Sequence, residues 1–332
     1  MFAGSSLTNA KNRPSICVDD LPASATDAAR GCHTMTALRD IVVVLDDATP
    51  SEIRLDIAVA LAQQHDAYLT GLSALDLLVP TRPVVRPRGD PEVDTQPGSQ
   101  LMNWGAVPPV DYPEADRQAA ETAERIEAAF RERLRFSGLP GDWRVASGQV
   151  SETVVRQARH ADLVILGQID PEHPPPPGGR QLVEDVLMTS GRPILVIPYI
   201  GRFETLGTKI LVGWNNSREA ARAVSDAIPL LTKAASVTIL EADHIGRKPA
   251  ADDASSADII RHLARYGISA ETARTVMVSI SASDVLLSYA SDISADLLVV
   301  GGYGHSRLRE LILGGVTRDL LRHMTLPVLM SH

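Results

Sequence analysis

The sequence predicts an α/β protein made of two tandem, doubly wound, parallel five-stranded sheets, and three observations predict it. The chain repeats itself: "ADLVILG" at 161–167 returns as "ADLLVVG" at 295–301, and "RPILVIP" at 192–198 returns as "LPVLMSH" at 326–332, both 134 residues on. Each copy alternates short β-branched or Leu-rich runs with helical patterns, the signature of parallel strands buried on both faces and joined by crossover helices. The opening strands, "DIVVVLDD" at 40–47 and "KILVGWNN" at 209–216, stand 169 residues apart instead of 134, so copy one carries 35 residues more. These fall mainly in the Pro-rich, aperiodic stretch 77–115.

Taken in order, residues 1–37 are small and polar, too poor in apolar residues to build a core and without the apolar stretch of a secretory signal. The expectation is a disordered tail, with Met35 as an alternative translation start. Copy one, 38–200, opens with a strand followed by "TPSE", in which Thr49 caps a helix, Pro50 takes its first position and Glu52 completes a capping box. The insertion 77–115 is a variable surface loop by composition, or a lid or docking surface, and 114–135 is an amphipathic, sheet-covering helix. Copy two, 205–332, has strands near 209–215, 236–241, 273–279, 296–301 and 327–331. After its first strand, Ala220, Ala221, Val224, Ala227, Ile228 and Leu231 recur at helical spacing behind Ser217, a natural N-cap. The apolar final strands of the two copies suit edge-to-edge pairing of one copy with the other. In such sheets ligands go to the carboxyl ends of the strands, where strand order reverses.

Bulk properties exclude several classes. A net charge of −9 argues against a nucleic-acid binder, and no apolar run reaches the roughly 18 residues of a membrane span. The two cysteines, Cys17 and Cys32, form neither a disulfide framework nor a CxxC pair, which fits the cytoplasm. The histidines lack metal-ligand spacing, Asp46–Asp47 reads as capping or solvated residues before it reads as a metal pair, and no nucleophile elbow is present.

The chemistry concentrates in "GGYGHSRLRELILGGVT", 301–317, directly after a strand. Gly301 and Gly304 can turn backbone N–H groups inward, and Gly314 and Gly315 open the next helix, whose N-terminus favours an anion. Over 301–323 four Arg face one Glu and one Asp, a local +2 in an acidic chain. The stretch is neither a P-loop nor a dinucleotide fingerprint, because no GxxxxGK[ST] exists and Arg307 stands where the fingerprint needs glycine.

This stretch resembles the signature of the universal stress protein family, G-x-x-G, nine residues, then G-S or G-T, and the five-strand alternation is similar over about 38–332. The resemblance implies two adenine-nucleotide-hydrolase-like domains forming an intramolecular pseudo-dimer, with a homodimer of the whole chain left open. It implies ATP or a related adenine nucleotide in copy two, with Mg²⁺ only alongside ATP. Gly301, Gly304, Gly314, Gly315, Val316 and Thr317 would then lie on the phosphate side, and Asn215 would stand where ATP-binding members have a nucleoside-contacting Asp. Asn for Asp costs about 1 kcal/mol, about fivefold in affinity. Copy one keeps Asp46 but has only Gly167 of the signature, with Arg180 and Gln181 at the later glycine positions and no N–H donors over Pro174–Pro177. The expectation is a cytoplasmic, nucleotide-binding regulatory protein with hydrolysis slow or absent. Its alternative is a stress-response scaffold that binds no nucleotide and acts through protein partners. An ATP-pyrophosphatase ranks last, since neither "DDATPS" nor "NNSREA" matches an SGGxDS-type loop.

Overall fold

The computed structural model describes residues 37–47, 50–73, 112–145, 150–173, 179, 181–244, 255–277, 281–303 and 315–332. The tail, most of the insertion, Thr49, the four prolines, Arg180, Gly304 and Gly314 lie outside these residues.

The first half contributes β1 (Asp40–Leu45), α1 (Pro50–His65), β2 (Tyr68–Ser73), α2 (Tyr112–Ser137), β3 (Gly141–Val145), α3 (Val150–Ala158), β4 (Leu163–Gly167), α4 (Leu182–Thr189) and β5 (Ile194–Ile197). The second contributes β6 (Lys209–Trp214), α5 (Arg218–Leu231), β7 (Ser236–His244), α6 (Ser255–Ala264), β8 (Ala270–Met277), α7 (Ala282–Asp292), β9 (Leu297–Gly301), α8 (Gly315–His323) and β10 (Val328–Ser331). Pro50 does open α1, and Ser217 does cap α5, its Oγ accepting from the Ala220 N–H at 3.1 Å. β8 begins three residues earlier than the apolar run suggested: its first residues, "AETART", pair with β7 through their backbone despite their polarity.

The two expected sheets are one. Ten strands run in the order β3-β2-β1-β4-β5-β10-β9-β6-β7-β8, each half being a parallel 3-2-1-4-5 array. The halves meet through the antiparallel pair β5–β10, with Val196 opposite Val328, Leu195 opposite Leu329 and Ile194 opposite Met330. Leu195 and Leu329 are themselves 134 residues apart, so a pseudo-two-fold passes through this pair. Each half uses the other to cover its last strand, leaving no open edge at the most apolar part of either sheet.

Alternation along the strands divides the core. Ile41, Val43 and Leu45 pack with residues of α1, α2, α5 and α6, whereas Val42 and Val44 pack with residues of α3, α4, α7 and α8. Both layers continue across the seam: Leu195 and Leu329 join the first, and Ile194, Val196, Val328 and Met330 join the second. The seam is therefore core. The repeated "AD" has its own explanation. Asp162 accepts from the Arg39 and Asp40 N–H groups at 2.7 and 3.1 Å, and Asp296 accepts from Thr208 and Lys209 at 3.0 and 2.9 Å. Each carboxylate ties the start of the fourth strand to the start of the first, setting the register on which the switch point depends.

Candidate functional site

Strand order reverses between β1 and β4 in the first half and between β6 and β9 in the second. At the second switch point, Asn215 follows β6. It is exposed, and its Oδ1 accepts from the Ser217 N–H at 3.1 Å, a local turn that starts α5. Gly301 ends β9. A Cβ there would lie 2.5 Å from the Ala220 nitrogen and 2.5 Å from the Glu219 carbonyl carbon, so only glycine lets the strand end sit on the first turn of α5. The sequence assigned this glycine to a ligand, and the structure gives it a helix contact as well.

The two described flanks of the glycine motif come together. Tyr303, left-handed at φ 52°, donates its N–H to Thr317 Oγ at 3.1 Å. Thr317 is buried, and its hydroxyl proton is left to donate elsewhere. Gly315 opens α8 and is exposed, with nothing within 4 Å of where a Cβ would stand. Val316 is 46% exposed. The structure thus places Gly301, Gly315, Val316 and Thr317 around the start of one helix, with Asn215 at the end of the strand beside β9.

Two residues near this place carried no signal in the reading above. Glu219 is 1% exposed in the first turn of α5, and its Oε2 has no hydrogen-bond partner. Burial pushes its carboxyl up, but the Arg218 guanidinium bonded to Oε1 outweighs that and leaves it below the usual carboxylate range. The Tyr303 phenol is buried with an unpartnered hydroxyl. Burial, then the nearby Glu184 charge, pushes it up to about 12, against the opposing pull of Arg318.

The first switch point is filled differently. Arg54 rises from α1 under Gly167, where an added Cβ would lie 2.1 Å from its Nη1. Its Nη2 pairs with Asp46 Oδ2 at 2.7 Å and donates to Ser51 Oγ at 2.9 Å. The side chain is 7% exposed. Asp46, the one conserved-type carboxylate of the pattern in this half, is thus committed to an internal cation. The smaller space that remains beside it, a cavity of about 210 Å³, is lined by Asp46, Asp47, Ser51, Glu52 and Arg125 among others. The signal for Arg54 was available: at the 169-residue offset its counterpart is Ala223, so a cation stands at a core-facing helix position. No group of three or more His, Cys, Asp or Glu suited to a metal occurs among the described residues, and no described helix is long and apolar enough to cross a membrane.

A family model described as the universal stress protein family matches residues 208–332. A universal stress protein of Synechocystis sp. is 42% identical over 48 residues, which cover 14% of this chain and 17% of that protein's length. Among solved structures, a universal stress protein from Archaeoglobus fulgidus DSM 4304 superposes with a TM-score of 0.64 at 14% identity, covering 88% of this chain and 96% of its own. A functionally unknown protein from Pseudomonas aeruginosa PAO1 gives 0.52 at 17% identity, covering 90% and 94%. At these identities the two structures speak to the fold alone.

Proposed function

Because the chain belongs to the universal stress protein family through its C-terminal half, residues 208–332, we propose that it is an adenine-nucleotide-binding regulatory protein of the cytoplasm. In this reading the second half holds the nucleotide, and the first is its degenerate partner. The observation that carries it is the contrast between the two switch points. Arg54 occupies the first, whereas its counterpart in the second half, Ala223, brings no head group into the crevice. Around that second crevice lie Gly301, the exposed N–H groups at the start of α8, and the Thr317 hydroxyl, which together suit a phosphate. Asn215 would meet the nucleoside, and Gly304 and Gly314 would complete the loop. ATP would bring its own Mg²⁺, and turnover would be slow or absent, so the protein acts as a switch and not as an enzyme.

Calorimetric titration of ATP into the full chain tests this, with Val316→Glu as the control. Val316 is exposed in the first turn of α8, where an acidic side chain is favourable to the helix and opposed to a phosphate. Saturable heat near one site per chain, abolished in the variant, is expected. Absence of binding, or equal binding by an equally folded variant, would sink the reading and leave the scaffold role.

A further inference from the structure

The largest described cavity, about 570 Å³, lies at neither switch point but at the seam between the halves. Gln168 and Ile169 after β4, Val183 and Glu184 on α4, and Tyr199 after β5 form the first-half wall. Arg318, Leu321, Arg322 and His323 on α8 form the other. Its size falls in the range of about 300–1,000 Å³ typical of small-molecule sites.

Two features separate this cavity from a packing defect. Its frame is rigid: the buried Gln168 side chain donates Nε2 to the Leu321 and Arg322 carbonyls at 2.9 and 3.1 Å, and its Oε1 accepts from the Tyr199 N–H at 3.2 Å. The C-terminal turn of α8 is thereby fixed to the first half. The duplication, moreover, should produce two such spaces, one on each side of the pseudo-two-fold, and only one is open. On the opposite side, Gly302 receives Leu187, whose Cδ2 would lie 2.7 Å from an added Cβ, and Tyr303 is buried where its counterpart Ile169 is half-exposed. That side is plugged.

The open side is also the charged one. Arg318 and Arg322 are a turn apart on α8, and their first-half counterparts are Glu184 and Met188. Among the described residues neither guanidinium has an ion-pair or hydrogen-bond partner, although Arg318 is half-buried. His323, by contrast, is held by Asp319 at 3.1 Å. A half-buried arginine without a counter-ion is costly unless an anion completes it. Ile169, Val183 and Leu321 supply apolar wall beside the two arginines, and Glu184 supplies an acceptor.

The geometry points to a second ligand site here, for a small organic anion with an apolar body and a carboxylate or phosphate monoester head held between Arg318 and Arg322. The head is fixed by charge-assisted hydrogen bonds, the body replaces water against the apolar wall, and Glu184 selects molecules that also carry a hydrogen-bond donor. Because the cavity is walled by both halves, such a ligand would report on their packing, independently of any nucleotide at the second switch point.

The test uses the full chain with 1-naphthyl phosphate and 2-naphthoate as probes and neutral 2-naphthalenemethanol as control, read by calorimetry. One of the two anions is expected to bind once per chain and the neutral molecule far more weakly, and whichever anion binds identifies the head group. The Arg318→Gln/Arg322→Gln double variant should bind at least about tenfold more weakly. Glu184→Gln, which removes the opposing charge, should bind about threefold more tightly, a gain that misfolding cannot imitate. Binding of both anions no better than the neutral control, or unchanged in the double variant, would overturn the proposal. So would binding abolished by Val316→Glu but kept in the double variant, which would place the probe at the glycine motif instead.

Discussion

His65 makes the stability of this protein depend on pH in a way that can be isolated. It closes α1, is 3% exposed, and accepts a long hydrogen bond from the Leu38 N–H at Nδ1, 3.4 Å, while Nε2 has no partner. Across the pseudo-two-fold, Lys233 donates to the neighbouring Gln64 carbonyl. Burial first, and then this lysine's charge, lowers the imidazole from 6.5 to about 4. The unfolded chain takes up the proton near pH 6.5 and the folded chain only near pH 4, so between these values the unfolded state binds more protons. Stability from this group is complete above pH 6.5 and falls as the pH drops through the window, by up to about 1.4 kcal/mol per pH unit and about 3 kcal/mol in all. Urea unfolding of wild type and His65→Gln at half-unit steps from pH 7.5 to 4.5 separates this from carboxylate titration, which is common to both chains. The variant is expected to be the less stable chain at pH 7.5 and to lose the excess slope, so the two curves converge on acidification. Parallel curves over the whole range would refute the assignment.

Two further outcomes follow from contacts already described. Gly301→Ala forces the end of β9 away from the backbone of α5 and should cost about 1–3 kcal/mol in urea unfolding, and an unchanged midpoint would mean that the strand does not rest on the helix. Gln168→Leu removes the three hydrogen bonds that hold the last turn of α8 and the Tyr199 N–H across the seam. It should lower stability by about 1–3 kcal/mol, and calorimetric unfolding that matches wild type would show that the seam is held by β5–β10 alone.

The sequence by itself determined the duplication, the alternation of strand and helix, the pairing of the final strands and the place of the glycine motif. All of these follow from local patterns: apolar runs of strand length, helical periodicity, capping residues such as Pro50 and Ser217, and an offset repeated without error. Such patterns are carried by neighbours in the chain, so they can be read from it. Asn215, Gly301, Gly315, Val316 and Thr317 were visible for the same reason, as departures from a linear spacing.

What only the tertiary structure decided concerns groups that meet across long sequence separations. Nothing linear says that Arg54 lies under Gly167, that Gln168 reaches carbonyls 153 and 154 residues away, or that Leu187 plugs one side of the seam while the other stays open. The merging of two sheets into one has the same origin. Hydrophobic patterning specifies that a strand must be covered. Which strand covers it, and which side chains are then brought to share the space beside it, depends on the packing of the whole.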